Sequence, residues 1–254
     1  MSDRAIIEQL AGGRPIIELV HARQRTEGVV GVAWRAGAVV AVCAHGCGLQ
    51  ALPEGLAALA GLERLDVGVN RLAALPALPA SLRQLYVDDN QLARLPALPK
   101  GLRVLDANRN RLDALPALAD LAFAYLAANR LTTLPSITNV RYLNVGGNPL
   151  GRLALEDSAI RELRAEQAQL HTLAIDQLAG LRELSLRGND LVTLPELSGL
   201  TALRVLDLRG NQLDTLPDGV RDLALIKLDL RWNPLRAPPA WLDELSARGC
   251  LVYS

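Results

Sequence analysis

The chain has 254 residues, half of them apolar, only 3% aromatic, and a formal net charge of zero. Neutral charge gives no electrostatic reason to expect nucleic acid or an anionic membrane as partner. Three scattered cysteines do not make a disulfide framework, and an odd count fits a reducing compartment. Met1-Ser2-Asp3-Arg4 does not lead from a basic segment into a long apolar run, and no apolar stretch reaches membrane-spanning length. The expected location is therefore cytoplasmic.

Residues 2–24 read as helical, with Ser2 as a cap and Ile6, Ile7 and Leu10 on one face. Ala11-Gly12-Gly13-Arg14-Pro15 interrupts, and Ile16, Ile17, Leu19 and Val20 resume, so a two-helix cap is expected. Val29–Trp34 and Val39–Cys43 follow, joined by a glycine-bearing link, and predict a hairpin. Residues 1–38 are thus assigned to an N-terminal cap, 39–237 to repeats and 238–254 to a C-terminal cap.

From Val39 onward one frame recurs: leucine-x-x-leucine-x-leucine-x-x-asparagine-x-leucine. Leu82, Leu85, Val87, Asn90, Leu92, Leu95 and Pro96 fill it, and Leu102, Leu105, Ala107, Asn110, Leu112, Leu115 and Pro116 fill it twenty residues later. Repeats start at Val39, Leu62, Leu82, Leu102, Leu121, Val140, Ile160, Leu181, Leu203 and Leu225. Cys47 takes the asparagine slot in the first, and Ala168 takes it in the one beginning at Ile160. The x-Leu-x-Leu-x segment alternates with period two, which makes a strand with leucines inward. The asparagines are expected to bond backbone groups of their own and the adjacent repeat. Leu75-Pro76-Ala77-Leu78-Pro79 and Leu95-Pro96-Ala97-Leu98-Pro99 cannot form a regular helix, because proline removes a donor and biases its predecessor toward extended backbone. Wider spacing leaves room for a turn or short helix within 191–203 and 213–225. Pro238-Pro239-Ala240-Trp241-Leu242-Asp243-Glu244-Leu245 reads as a short amphipathic helix, with Gly249 as its stop.

These residues are the consensus of a leucine-rich repeat. The implied fold is α/β: a leucine-rich-repeat solenoid (a right-handed horseshoe) with a parallel β-sheet on the concave face and helical caps. Leu-Pro-Ala-Leu-Pro in twenty-residue repeats resembles the bacterial short-repeat subclass typical of type III secreted effectors, most strongly over residues 62–136. Residues 181–239 look more like the general 22–23-residue class. Some such effectors add a C-terminal ubiquitin ligase with a cysteine nucleophile. Cys250 lies four residues from the end of this chain with no domain around it, so ligase activity is not carried over. Secretion into a host cell without a Sec signal is what the kinship implies as an alternative to the cytoplasm.

Alternation along each strand sets which residues face outward. The central outward column runs Cys43, Asp66, Tyr86, Asp106, Tyr125, Asn144, Arg164, Ser185, Asp207 and Asp229. The preceding column includes Phe123 and Tyr142, and the following one His45, Asp88, Asn108, Arg187, Arg209 and Arg231. Of eight aromatic residues, Tyr86, Phe123, Tyr125 and Tyr142 fall on outward positions and Trp232 just beyond one. Exposed rings mark binding sites, although cross-strand packing also uses them. Arg187, Arg209 and Arg231, beside Asp207 and Asp229, either meet a carboxylate-bearing partner or neutralise one another.

Asp66, Asp88, Asp89 and Asp106 form an acidic patch, but flat strand faces converge poorly on a cation. Cys43, His45 and Asp66 carry the ingredients of nucleophilic catalysis, and Cys47 would extend them to a metal-type run. Neither is favoured: Cys47 is explained as a buried stand-in for asparagine, and no lid or oxyanion hole is implied. His21 and His171 read as structural or solvated, and no P-loop occurs. The expectation is a non-catalytic scaffold binding a protein partner on the concave face, with no cofactor, metal, nucleic acid or membrane. An effector that sequesters a host protein is the first alternative, and a thiol enzyme using Cys43 and His45 the second.

Overall fold

In the computed structural model, residues 1–156, 159–236 and 239–254 are described. They form two compact units, Met1–Arg130 and Leu131–Ser254.

The first unit opens with helix α1 (Asp3–Ala11), whose Ser2 Oγ accepts from the Ala5 amide and which ends at left-handed Gly12. Ile6, Ile7 and Leu10 are buried, and Asp3 ties the helix to the sheet by accepting from the Val39 amide at 3.0 Å. Strands β1 (Ile16–Glu18), β2 (Val30–Arg35), β3 (Ala38–Cys43), β4 (Arg64–Asp66), β5 (Gln84–Tyr86), β6 (Val104–Asp106) and β8 (Phe123–Tyr125) follow, with the two-residue β7 (Leu118–Ala119) outside this order. The hairpin of β2 and β3 is antiparallel, and from β3 to β8 every pairing is parallel.

The expected second cap helix is not there. Ile16 and Ile17 are β-branched, the segment is short, and β2 offers an open edge, so residues 16–18 form a parallel strand. Gly31 makes this possible: a Cβ there would lie 2.3 Å from Leu19 Cδ2. Residues 19–28 then cross the sheet face, and Leu19 packs with Ala33, Val40, Ala41 and Cys43.

The second unit contains the two-residue β9 (Ile137–Thr138) and a parallel sheet of β10 (Tyr142–Asn144), β12 (Glu162–Arg164), β14 (Glu183–Ser185), β15 (Val205–Asp207), β16 (Lys227–Asp229) and β17 (Leu251–Tyr253). A separate pair joins β11 (Arg152–Ala154) to β13 (Thr172–Ala174). Helix α2 (Trp241–Ala247) buries Trp241, Leu242 and Leu245 as expected, while Pro238 lies outside the described residues. Strand β17 was not foreseen and closes the sheet against β16.

Within each unit the asparagines act as the frame required. Asn90 Nδ2 donates to the carbonyls of Val67 and Val87, and its Oδ1 accepts from the Leu72 amide. Asn110, Asn211 and Asn233 repeat the scheme. The residue before each asparagine is left-handed: Val69, Asp89, Arg109 and Ala128 in the first unit, Gly147, Gly188, Gly210 and Trp232 in the second. Residues 74–79 and 94–99 carry no helix, as their prolines demand, whereas single 3-10 turns form at Glu54–Ala58 and Asp218–Val220.

Where Ala168 replaces asparagine, the backbone takes over. The Ala168 carbonyl accepts from the Leu150 amide at 3.1 Å, and Asn189 Oδ1 accepts from both Ala168 and Leu170 amides. The β11–β13 pair forms beside this change.

Candidate interaction face

The outward strand positions form one face in each unit. In the first, Phe123 is 43% exposed and stacks on half-buried Tyr125, with ring centroids 6.1 Å apart and planes at 6°. Tyr86 is half-buried beneath two cations: the Arg64 guanidinium lies 4.1 Å from its ring centroid and that of Arg25 5.8 Å.

The start of this face departs from expectation. Cys43 and Asp66, expected outward, are buried because residues 19–28 lie over them. Thr26 donates its amide to Cys43 Sγ at 3.3 Å, and Arg25 Nε reaches Asp66 Oδ2 at 3.0 Å. Arg64 Nη2 holds the same oxygen at 3.0 Å. His45 Nδ1 stands 3.5 Å from Asp66 Oδ1. A nucleophile must meet its substrate, and the Cys43 thiol instead meets Thr26. Burial pushes the Cys47 and Cys250 thiols up, away from the reactive thiolate.

Asp88 and Asp106 continue the acidic run. Arg109 spans Asp88 Oδ2 at 3.3 Å and Asp89 Oδ2 at 2.8 Å, while Asp88 Oδ1 is buried without a hydrogen-bond donor. Burial raises the Asp106 carboxyl to about 6, and nearby Asp88 adds to the rise. A hydrogen bond from the Asn108 amide and the more distant charges of Arg109 and Arg25 pull the other way without cancelling it. Among the described residues, no set of three His, Cys, Asp or Glu side chains is placed to hold a metal ion.

In the second unit Tyr142 is half-buried, and burial raises its phenol. Arg209 and Arg231 are each folded onto the aspartate two residues earlier. Arg209 Nη2 reaches Asp207 Oδ2 at 2.6 Å, and Arg231 Nη2 reaches Asp229 Oδ2 at 2.7 Å. Asp229 is fully buried rather than presented outward. Burial alone would raise its carboxyl, but hydrogen bonds from the Arg231 side chain and amide, with the charge of Arg209, hold it below the usual range. Arg187 has Ser185 where the others have aspartate; it is exposed, and among the described residues it makes no ion pair. Trp232 is 68% exposed, with Arg231 5.5 Å from its ring. A depression of about 270 Å³ is bounded by Arg164, Ser185, Asp207, Arg209 and Lys227.

The repeat geometry matches known proteins. The family described as leucine-rich repeats, in two copies, matches residues 180–221. YopM from Yersinia enterocolitica is 32% identical over 74% of this chain and 41% of its own, with a TM-score of 0.65. YopM of Yersinia pestis, described as a leucine-rich effector protein, is 33% identical over 76% of this chain and 55% of its own, with a TM-score of 0.66. The chain belongs to the leucine-rich-repeat proteins.

A leucine-rich-repeat protein of Leptospira interrogans shares the fold at 23% identity, over 82% of this chain and 52% of its own, with a TM-score of 0.57. This repeat protein therefore spans about half the length, or less, of the Yersinia chains it resembles. No curated protein matches it. Sequence reasoning placed the Asp-x-Arg pairs within reach of each other but missed Arg25 and Arg64 over Tyr86. Arg64 sits two residues before Asp66 on the same strand face, a signal that was available; Arg25 comes from a segment whose local pattern does not say where it docks.

Proposed function

We propose that this repeat protein is a non-catalytic scaffold that binds a protein partner on its strand face. The observation that carries this reading is the Phe123–Tyr125 stack, a pair of rings on outward positions with Phe123 substantially in water. Rings of this kind supply affinity when a partner removes them from water. Arg187 and Trp232 in the second unit are further contact residues, and Arg209 and Arg231 act as cations already oriented by Asp207 and Asp229. Tyr142 contributes through its half-buried ring. Cofactor, nucleic acid and membrane have no part in this mechanism.

The test is capture of the native partner by wild type and by a Phe123→Ala/Tyr125→Ala double variant. Capture should fall at least about tenfold, a loss of the size of one interface hot spot, with the circular dichroism and melting temperature nearly unchanged. Undiminished capture by a folded double variant would falsify the anchor assignment.

A second reading is that the scaffold acts as a secreted effector that sequesters a host protein. It is favoured by the likeness to the Yersinia pestis chain described as an effector. A translocation reporter fused to the chain should then reach the host cytosol only when the producing cell's secretion apparatus is intact. Retention of the reporter inside the producing cell discards the effector role and leaves the scaffold reading in place.

A further inference from the structure

The face of the first unit already contains a bound arginine. Arg25 belongs to the N-terminal segment rather than to a repeat, yet its Nε meets Asp66 Oδ2 at 3.0 Å and its guanidinium lies 5.8 Å from the Tyr86 ring. Arg64 does the same from within the strand, at 3.0 Å from that carboxylate and 4.1 Å from that ring. Tyr86 is the register partner of Asp66 on the next strand. A carboxylate and the ring beside it thus act together on each of these two flat cations.

Asp106 has the same surroundings without the cation. Its register partners are Tyr86 on one side and Tyr125 on the other, and Tyr125 is backed by Phe123. Among the described residues, its hydrogen bond is from the Asn108 amide to Oδ1 at 3.2 Å, and no ion pair reaches it. Arg109, the neighbouring cation, ends on Asp88 and Asp89. Asp88 Oδ1, buried and without a donor, turns instead toward Gly68 and His45, so the seat itself offers the Asp106 carboxylate alone. The charge here is short of a cation, and rings stand where one would stack.

We infer that Asp106 and Tyr125, with Phe123 behind, form a seat for an arginine side chain of a protein partner. A guanidinium is flat enough to lie on the phenol ring, and its edge of N–H groups meets a carboxylate at the same time. A lysine ammonium would supply the charge but not the stacking plane. A divalent metal ion would find no converging set of ligands among the described residues. The inference rests on the strand-face reading above and adds the chemistry of what is held there.

The experiment titrates the full chain with acetyl-Gly-Arg-Gly-amide, using the citrulline peptide as a neutral isostere. The NMR signals of the Asn108 amide and the Tyr125 ring are followed. The arginine peptide should give saturable shifts with a Kd of about 10 mM, the scale of one partly exposed cation–ring contact plus one charged hydrogen bond. The citrulline peptide should bind about tenfold more weakly or not at all. Saturation should move the Asp106 carboxyl from about 6 toward its ordinary value, since a guest cation offsets both its burial and the charge of Asp88. Asp106→Asn keeps the oxygen that accepts from Asn108, so it should fold normally and lose the response; Tyr125→Ala should weaken it. Absence of saturable shifts at neutral pH, an equal response to citrulline, or an unchanged response in Asp106→Asn overturns the seat. If the native partner is still captured through Phe123 and Tyr125 in that case, only this inference falls. If the arginine peptide binds but capture ignores the ring pair, only the docking face falls.

Discussion

The two units place aspartates at the same outward strand position and treat them in opposite ways. In the second unit Asp207 and Asp229 are followed two residues later by Arg209 and Arg231, on the same face of the same strand, and each pair closes on itself. In the first unit the residue two places on is Gly68 after Asp66 and Asn108 after Asp106. Asp66 takes its cations from Arg64 and from the distant Arg25, and among the described residues Asp106 takes none. The strand period explains the difference, because only i and i+2 share a face. An arginine two places away on the same face, upstream as Arg64 or downstream as Arg209 and Arg231, therefore decides whether a face carboxylate is consumed within the repeat or left for a partner. Arg187, preceded by Ser185, is the converse case, a face cation with no acid two residues back.

The asparagine frame offers the largest way to break the comparison, because in the first unit it runs unbroken after Cys47, whereas in the second it is interrupted at Ala168. Asn110 accepts from one amide, that of Leu92, and donates to Val87 and Ala107 carbonyls. Asn189 accepts from two amides, Ala168 and Leu170, and donates to the Ala165 and Leu186 carbonyls. Replacement of Asn110 by leucine orphans the Leu92 amide, because the Val87 and Ala107 carbonyls keep Asn90 and Asn129 as donors, whereas replacement of Asn189 orphans the Ala168 and Leu170 amides and the Ala165 carbonyl, at about 1–3 kcal/mol apiece. Asn110→Leu should lose about 1–3 kcal/mol in urea unfolding, and Asn189→Leu should lose about two to three times as much. Equal losses would mean that Asn189 does not stand in for the absent side chain at 168.

The face aspartates sharpen the contrast through pH. The folded chain raises the Asp106 carboxyl to about 6, so it retains a proton that the unfolded chain releases above about pH 4. Stability then falls as pH climbs from about 4 to 6, by at most about 3 kcal/mol, and the penalty persists above that window. Asp229 is displaced downward, so its contribution is complete above about pH 4 and is lost as pH drops through its folded value. Asp106→Asn should thus stabilise the chain at pH 7, by about 1–2 kcal/mol after allowing for the amide left half-buried, and do little at pH 4. Asp229→Asn should cost about 2 kcal/mol or more at pH 7 and less in acid, since it leaves Arg209 and Arg231 without their shared carboxylate. Unfolding curves at the two pH values decide the matter, and variants that shift in the same direction at pH 7 would refute the contrast.

Much of this is legible in the sequence itself. The period fixed which leucines are buried, where each asparagine sits and which residues face outward, because a slip of one residue would turn every strand inside out. The Asp-x-Arg pairs follow from the same arithmetic. What escaped was the part of the chain outside the period. Ile16–Glu18 looks like an interrupted helix until β2 is present to pair with it. Cys43 and Asp66 obey the outward rule and are nevertheless buried, because residues 19–28 fold back over them. That contact joins residues far apart in sequence and leaves no local signature. The β11–β13 pair is an intermediate case: Arg152-Leu153-Ala154 and Thr172-Leu173-Ala174 share one pattern twenty residues apart, but the stronger frame beside them drew the reading.

The smallest expected effect concerns the left-handed residue before each asparagine. The second unit places glycine there three times, at Gly147, Gly188 and Gly210, whereas the first has Val69, Asp89, Arg109 and Ala128. Val69 is β-branched, with φ at 54°, and is 44% exposed, so little burial compensates for its backbone. Relief of the left-handed penalty is worth about 1–2 kcal/mol, and the greater freedom of glycine in the unfolded chain returns about 0.5–1 kcal/mol of it. Val69→Gly should therefore gain about 0.5–1 kcal/mol. Gly210→Val should lose a similar amount, since the nearest atom to an added Cβ is 3.7 Å away and only backbone strain is at issue. A loss in both variants would show that the turn tolerates side chains for a reason other than φ. Trp232 stands in the same slot at φ 61°, in a ring position 68% open to water. Trp232→Gly should also stabilise the fold, so any partner capture lost in that variant comes from the missing ring and not from the scaffold.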